Sequence, residues 1–87
     1  MQDFQYDPKK SRSNLEKHGI DFEQAQILWE DPNLLTLTAK SNDEPRSLII
    51  ARINDQHWSA IVTDRNSEIR IISVRRSRAA EVKLYES

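Results

Sequence analysis

Eighty-seven residues make one domain with little to spare, and a hydrophobic share of 37% lies below the roughly 45–50% of an average globular domain, so the core should be thin and open to completion by a partner. The lack of cysteine and the presence of only two histidines, His18 and His57, exclude disulfides, thiolate sites and the usual zinc sets, and no cofactor is expected. A formal net charge of −1 excludes a bulk nucleic-acid coat; with no stretch approaching a membrane span or a signal h-region, a soluble, cytoplasmic protein without membrane partners is expected.

The charge is distributed unevenly. Residues 1–45 hold five cations against nine carboxylates, whereas residues 46–87 hold eight cations against five, and seven of those eight are Arg. Arginine carries the planar fork that matches phosphate geometry. A polyanion would therefore be met locally, by the second half of the chain.

Taken in order, Phe4 to Tyr6 alternates briefly and predicts a short strand. Asp7-Pro8 reads as a helix N-cap followed by Pro at the first helical position, and Gly19, the only glycine, marks the helix end. This helix carries Lys9, Lys10, Arg12 and Lys17 but only Leu15 as a sizeable apolar residue, so it should touch the core weakly, either as a solvated helix or as a basic arm facing RNA. Asp21 and Gln24 look like a capping box opening a second helix, with Phe22, Ala25, Leu28 and Trp29 as its buried stripe and Asp31-Pro32 as its stop.

From residue 34 the period changes to two. Strands are expected over Leu34 to Thr38, Arg46 to Ile53, His57 to Asp64 and Glu68 to Arg75, the last three forming an antiparallel meander through two short polar turns. In the stretch Ile69 to Arg76, Ile69 and Ile71 alternate with Ile72 and Val74, predicting a central strand covered on both faces. It runs out into Arg75, Arg76 and Arg78, and Ser77 is placed to cap a final helix bearing Val82, Leu84 and Tyr85. The layout is α+β: a single domain over residues 1–87 with two N-terminal helices packed on a four-stranded antiparallel sheet, five-stranded if Phe4 to Tyr6 joins it, and a C-terminal helix.

Several segments together resemble the BrnT toxins. In the first half these are Asp7-Pro8-Lys9-Lys10, Asn14-Leu15-Glu16-Lys17-His18-Gly19-Ile20, Asp21-Phe22-Glu23-Gln24-Ala25 and Asp31-Pro32. In the second half they are Glu44-Pro45-Arg46, Thr63-Asp64-Arg65, Ile69 to Arg76 and Leu84-Tyr85-Glu86. The resemblance implies a RelE-like fold and the ribonuclease half of a type II toxin–antitoxin pair. Its partner would be a BrnA-like ribbon-helix-helix antitoxin that masks the toxin, assembles with it and supplies the contact to operator DNA.

Metal-independent RNA cleavage needs a base for the 2′-hydroxyl proton, cations for the charge growing on the phosphate, and an acid for the leaving 5′-oxygen. The expectation is that Arg46, Arg65 and Arg75 converge on one phosphate. His18 is a candidate for proton transfer, or a partner of the last helix carbonyls; Glu44 is a candidate base, or a loop ion pair with Arg46. Lys9, Lys10, Lys17, Arg70, Arg76, Arg78 and Tyr85 are candidate RNA contacts, with Tyr85 otherwise a core lid. Trp58 is expected in the core and His57 on the surface. An endoribonuclease, a non-catalytic module that only binds an antitoxin, and a nucleic-acid-binding protein without chemistry all remain open.

Overall fold

The computed structural model describes residues 3–39 and 45–87. In chain order it contains β1 (Phe4–Gln5), α1 (Pro8–His18), a 3-10 helix (Gln24–Glu30), β2 (Leu35–Ala39), β3 (Arg46–Ile53), β4 (Gln56–Arg65), β5 (Glu68–Arg76) and α2 (Ala79–Glu86). One five-stranded sheet runs in the order β1-β5-β4-β3-β2. Strands β2 to β5 are antiparallel, and β1 joins β5 in parallel through Phe4↔Ile69 and Gln5↔Arg70. The sheet is therefore mixed rather than purely antiparallel.

Both hairpins close in two residues, Ile53 pairing with Gln56 and Arg65 with Glu68. Turns this tight need positive φ to match the strand twist. Asn54 (φ 56°), Asn66 (φ 50°) and Ser67 (φ 71°) provide it without glycine, Asn being the side chain that tolerates this region best. The sole glycine is spent at the end of α1, where Gly19 at φ 79° sends its N–H back to the Leu15 carbonyl.

One face of the sheet, here the first face, carries the core. Ile49, Ala51, Trp58, Ala60, Val62, Ile71 and Val74 meet Ile20, Phe22, Ala25 and Leu28 from the segment after α1. The Asp21–Gln24 box forms reciprocally, at 2.7 and 3.1 Å, yet the helix it opens is 3-10 and not α. The cause is legible in the spacing: Phe22, Ala25 and Leu28 recur every three residues, and only a helix of three residues per turn stacks them in one line. All three are at most 1% exposed.

Helix α1 docks by hydrogen bonds. Its one large apolar residue, Leu15, points to solvent, while Ser11 and Asn14 are buried. Ser11 Oγ accepts the Phe22 N–H at 2.9 Å. The Asn14 amide donates to the carbonyls of Ile20 (2.8 Å) and Val74 (2.9 Å) and accepts the Val74 N–H (3.1 Å). Strand β1 pairs only with residues 69 and 70, so Asn14 completes the ladder along the open edge of β5. Without it two backbone groups of a buried strand would lack partners.

The expectation that β5 is apolar on both faces is overturned by a β-bulge. Ser73 pairs with Ile61 and Ile71 with Val62, leaving Ile72 as the extra residue. A bulge shifts the alternation by one, so Ile69, Ile71 and Val74 all face the first face, and Arg70, Ser73 and Arg75 all face the second. Without the bulge, Arg70 and Arg75, five residues apart, would lie on opposite faces.

Candidate functional site

The second face is covered, among the described elements, only by α2, and only at one end. No residue of α2 is buried; the bonds that hold it are polar, beside Ile50, which is fully buried on this face next to Ser59. Arg75 gives both terminal nitrogens to Glu81, Nη1 to Oε1 at 2.7 Å and Nη2 to Oε2 at 2.8 Å. Glu81 Oε1 also accepts from Ser59 Oγ (2.9 Å) and from the Arg78 N–H (2.8 Å), and Ser59 Oγ shares a hydrogen bond with Ser77 Oγ (2.8 Å). Helix α2 therefore begins one residue later than Ser77 capping would place it: Arg78 is the N-cap, and since its side chain has no acceptor, Glu81 reaches back to its backbone instead. The Arg75 bonds, against the opposing effect of burial, hold the Glu81 carboxyl down at about 2 from an ordinary 4.5 and raise the already high Arg75 value.

Beside this network the β3–β4 hairpin meets the last turn of α2. His57 Nε2 lies 2.7 Å from Glu86 Oε1, and the His57 ring stands edge-on to Tyr85, centroids 5.1 Å apart. Tyr85 donates its hydroxyl to Asp31 Oδ2 at 2.6 Å, and the Arg52 N–H donates to the same oxygen at 2.8 Å. Burial first, then the Asp31 hydrogen bond, pushes the Tyr85 phenol up to about 12. Burial pushes Asp31 up, but the bonds from Tyr85, Asn33 and Arg52 outweigh it and hold the carboxyl below its usual range. Arg52 faces His57 across the ladder, and its guanidinium pairs with the fully exposed Asp55 at 3.3 Å. A cleft of about 490 Å³ opens here, lined among others by Asn33, Leu35, Arg52, Leu84, Tyr85 and Glu86.

The expected triad of Arg46, Arg65 and Arg75 does not converge. Arg75 pairs with Ser59 and Arg65 ends the same strand six residues later, about 20 Å away at ~3.3 Å per residue. Arg46, one residue before the Ser47↔Val62 pair, lies opposite Thr63. Arg70 pairs with Thr63 from the other side, so the bulge supplies Arg70 as the neighbour of Arg46 and Arg65 in place of Arg75. Lys9, Lys10, Lys17 and His18 are exposed on α1, in the layer of the first face, away from all of these. Arg76 also belongs to the first face, its guanidinium 5.4 Å from the centre of the Trp58 ring. Arg78 is exposed at the α2 N-cap, and Glu44 lies outside the described residues.

Trp58 is in the core as expected, but the His57 side chain is only 18% exposed and paired, a correction to its surface assignment. Alternation alone places His57 on the face of Arg52; its partner Glu86 is 29 residues away, beyond any local pattern. Glu81 and Asp31 escape a sequence reading for the same reason. Among the described residues no group of three His, Asp or Glu side chains is placed to hold a metal ion, and no helix is long and apolar enough to cross a membrane.

The family described as ribonuclease toxin, BrnT, of type II toxin-antitoxin system matches residues 6–81. The chain belongs to this family. Membership makes it a ribonuclease toxin with an antitoxin partner. The span matched in this BrnT chain runs from just before α1 to Glu81, so it contains both members of the Arg75–Glu81 pair and the whole sheet from β2 to β5. No curated protein matches the chain.

Proposed function

We propose that this BrnT chain is a metal-independent endoribonuclease whose active centre is the cleft between α2 and the β3–β4 hairpin. The observation that carries the reading is the pairing of His57 with Glu86, which borders a cleft lined by Glu86, Arg52 and Tyr85. These are the groups that the reaction requires. In that reaction the ribose 2′-oxygen attacks the adjacent phosphorus as its proton passes to the His57–Glu86 pair, and the bond from phosphorus to the 5′-oxygen breaks as a proton is returned to that oxygen. The products are a 2′,3′-cyclic phosphate and a free 5′-hydroxyl. Arg52 stabilises the charge on the phosphate oxygens, and Tyr85, its phenol held protonated, offers an aromatic face and edge to a base. Arg75 acts through Glu81, fixing α2 and with it Glu86 and Tyr85 over the sheet. In the cell this activity would inhibit translation and growth in the cytoplasm until a ribbon-helix-helix antitoxin of the BrnA kind covers it.

The test is cleavage of single-stranded RNA by purified protein in EDTA. His57→Ala and Glu86→Gln should each lower the rate at least about 10²-fold, and Arg52→Ala about 10²-fold. Activity that needs Mg²⁺, or that survives His57→Ala, would overturn the assignment. One observation favours a second reading, a module that only binds its antitoxin: Arg75 is already satisfied by Glu81 through two hydrogen bonds. That reading expects tight antitoxin binding, no cleavage and no growth arrest.

A further inference from the structure

The end of the second face that no described element covers holds a feature that the cleavage chemistry does not use. Thr63 is 2% exposed, although no described element lies over that end of the sheet, and its Oγ1 is a buried side-chain atom that finds no hydrogen-bond partner among the described residues. Its neighbours on this face explain the burial. Arg46 flanks it from β3 and Arg70 from β5, with Ile61 and Arg65 before and after it on β4, all long side chains around a short one. Most buried hydroxyls in native folds are paired, and one that is not calls for an explanation, a bound ligand among them. Here the surrounding groups are guanidiniums, and among the described residues neither Arg46 nor Arg70 makes an ion pair.

We infer that Arg46, Thr63 and Arg70 form a phosphate subsite for a single-stranded RNA that extends beyond the cleavage cleft. Adjacent strands lie about 4.8 Å apart, which places the two arginine backbones about 10 Å from each other. Two guanidiniums converging from that separation enclose one phosphate, and the hydroxyl between them donates to it from below. Arg65, on the same face two residues along from Thr63, extends the cationic end toward the next phosphate. The β-bulge at Ile72 builds the subsite, since it is the bulge that turns Arg70 to this face. Thr63 stands six residues along β4 from His57, about 20 Å, so both ends are engaged only by a strand of several nucleotides. That distance selects an internal segment of a longer RNA over a dinucleotide, which is the property of an endonuclease.

This inference rests on the cleft being the cleavage site, and the experiment separates the two. Cleavage of a dinucleotide and of a longer single strand is compared for the parent protein, Arg46→Ala/Arg70→Ala and Thr63→Val. The parent should prefer the longer strand. The double variant should lose about tenfold of that preference through KM, and its salt dependence should fall by about 0.7 in slope for each phosphate it no longer neutralises. Thr63→Val, which removes the hydroxyl without changing shape, should lose severalfold of the preference and yet be no less stable, since it removes an unpaired buried group, so that misfolding is excluded as the cause of the loss. Equal preference in all three proteins overturns the subsite and leaves the cleft standing. If the parent cleaves neither substrate, the cleft reading fails, and binding of a 2′-deoxy single strand decides the subsite alone: about tenfold weaker binding by the double variant supports it, and unchanged binding overturns it.

Discussion

The two faces of this sheet are held by opposite means. On the first, apolar side chains from β3, β4 and β5 meet the 3-10 helix, and α1, which buries no large apolar residue, is fixed by a buried asparagine. On the second, an eight-residue helix with no buried residue is fixed by an arginine, two glutamates, a histidine and a tyrosine. The contrast teaches that most of a thin core can be concentrated on one face of a small domain, Ile50 being the one fully buried aliphatic of the other among the described residues, which frees that face for charged groups. The bulge at Ile72 divides them: it keeps three apolar residues of β5 inward and turns both Arg70 and Arg75 outward.

The strongest way to break the comparison is on the first face. Asn14→Ala removes three buried hydrogen bonds and leaves the Val74 N–H and carbonyl unpaired, which should cost about 3 kcal/mol. In a domain this small that lowers the melting temperature by more than about 10 °C, measurable by circular dichroism. A loss under about 1 kcal/mol would show that water replaces the amide and that α1 is not held through Asn14.

On the second face the corresponding change is Glu81→Gln. It leaves Arg75 half-buried without its charge partner and should cost about 2 kcal/mol at neutral pH. The pH dependence identifies the source. Glu81 is held at about 2 in the folded protein against an ordinary 4.5, so the folded state binds its proton less readily than the unfolded chain. That contribution is fully present above pH 4.5 and is lost as pH falls from 4.5 through about 2. Urea midpoints of the parent should therefore converge on those of Glu81→Gln across this acid window, and parallel curves would exclude the Arg75–Glu81 bond as the anchor of α2.

How far these features could be read beforehand follows the range of the interactions. Local signals were sufficient for Asp7 and Gly19 bounding α1, for β3 at Arg46–Ile53, and for short hairpin connections at Asn54-Asp55-Gln56 and Arg65-Asn66-Ser67, each of which closes one residue tighter than read. The 3-10 helix was present in the threefold spacing of Phe22, Ala25 and Leu28, which an α-helical template absorbs. The bulge was not recognised, since the phase shift at Ile71-Ile72 fits a strand apolar on both faces equally well, and only the pairing with Ile61 and Val62 shows that a residue is left over. A polar Asn14 inside a helix gives no hint that it will complete a strand edge 60 residues away. The gathering of arginines was expected, but the register decided which: Arg70 joins Arg46 and Arg65, and Arg75 belongs to α2.

The smallest effect sharpens the comparison at the join between the faces. Asp31 ends the 3-10 helix of the first layer, and Tyr85 belongs to α2 on the second. Tyr85→Phe removes one hydrogen bond but leaves Asp31 with the N–H groups of Asn33 and Arg52, so nothing buried is orphaned and the cost should be about 1 kcal/mol. The sign at alkaline pH is opposite to that of Glu81. Burial and Asp31 raise the folded Tyr85 phenol to about 12 from an ordinary 10, so its contribution is fully present below pH 10 and is lost as pH rises from 10 to about 12. The parent should lose stability through that window faster than Tyr85→Phe, the difference between the two curves cancelling the lysines and arginines common to both. Coincident curves would mean that Tyr85 is solvated when the protein is folded and that the last turn of α2 is not anchored to the helical layer.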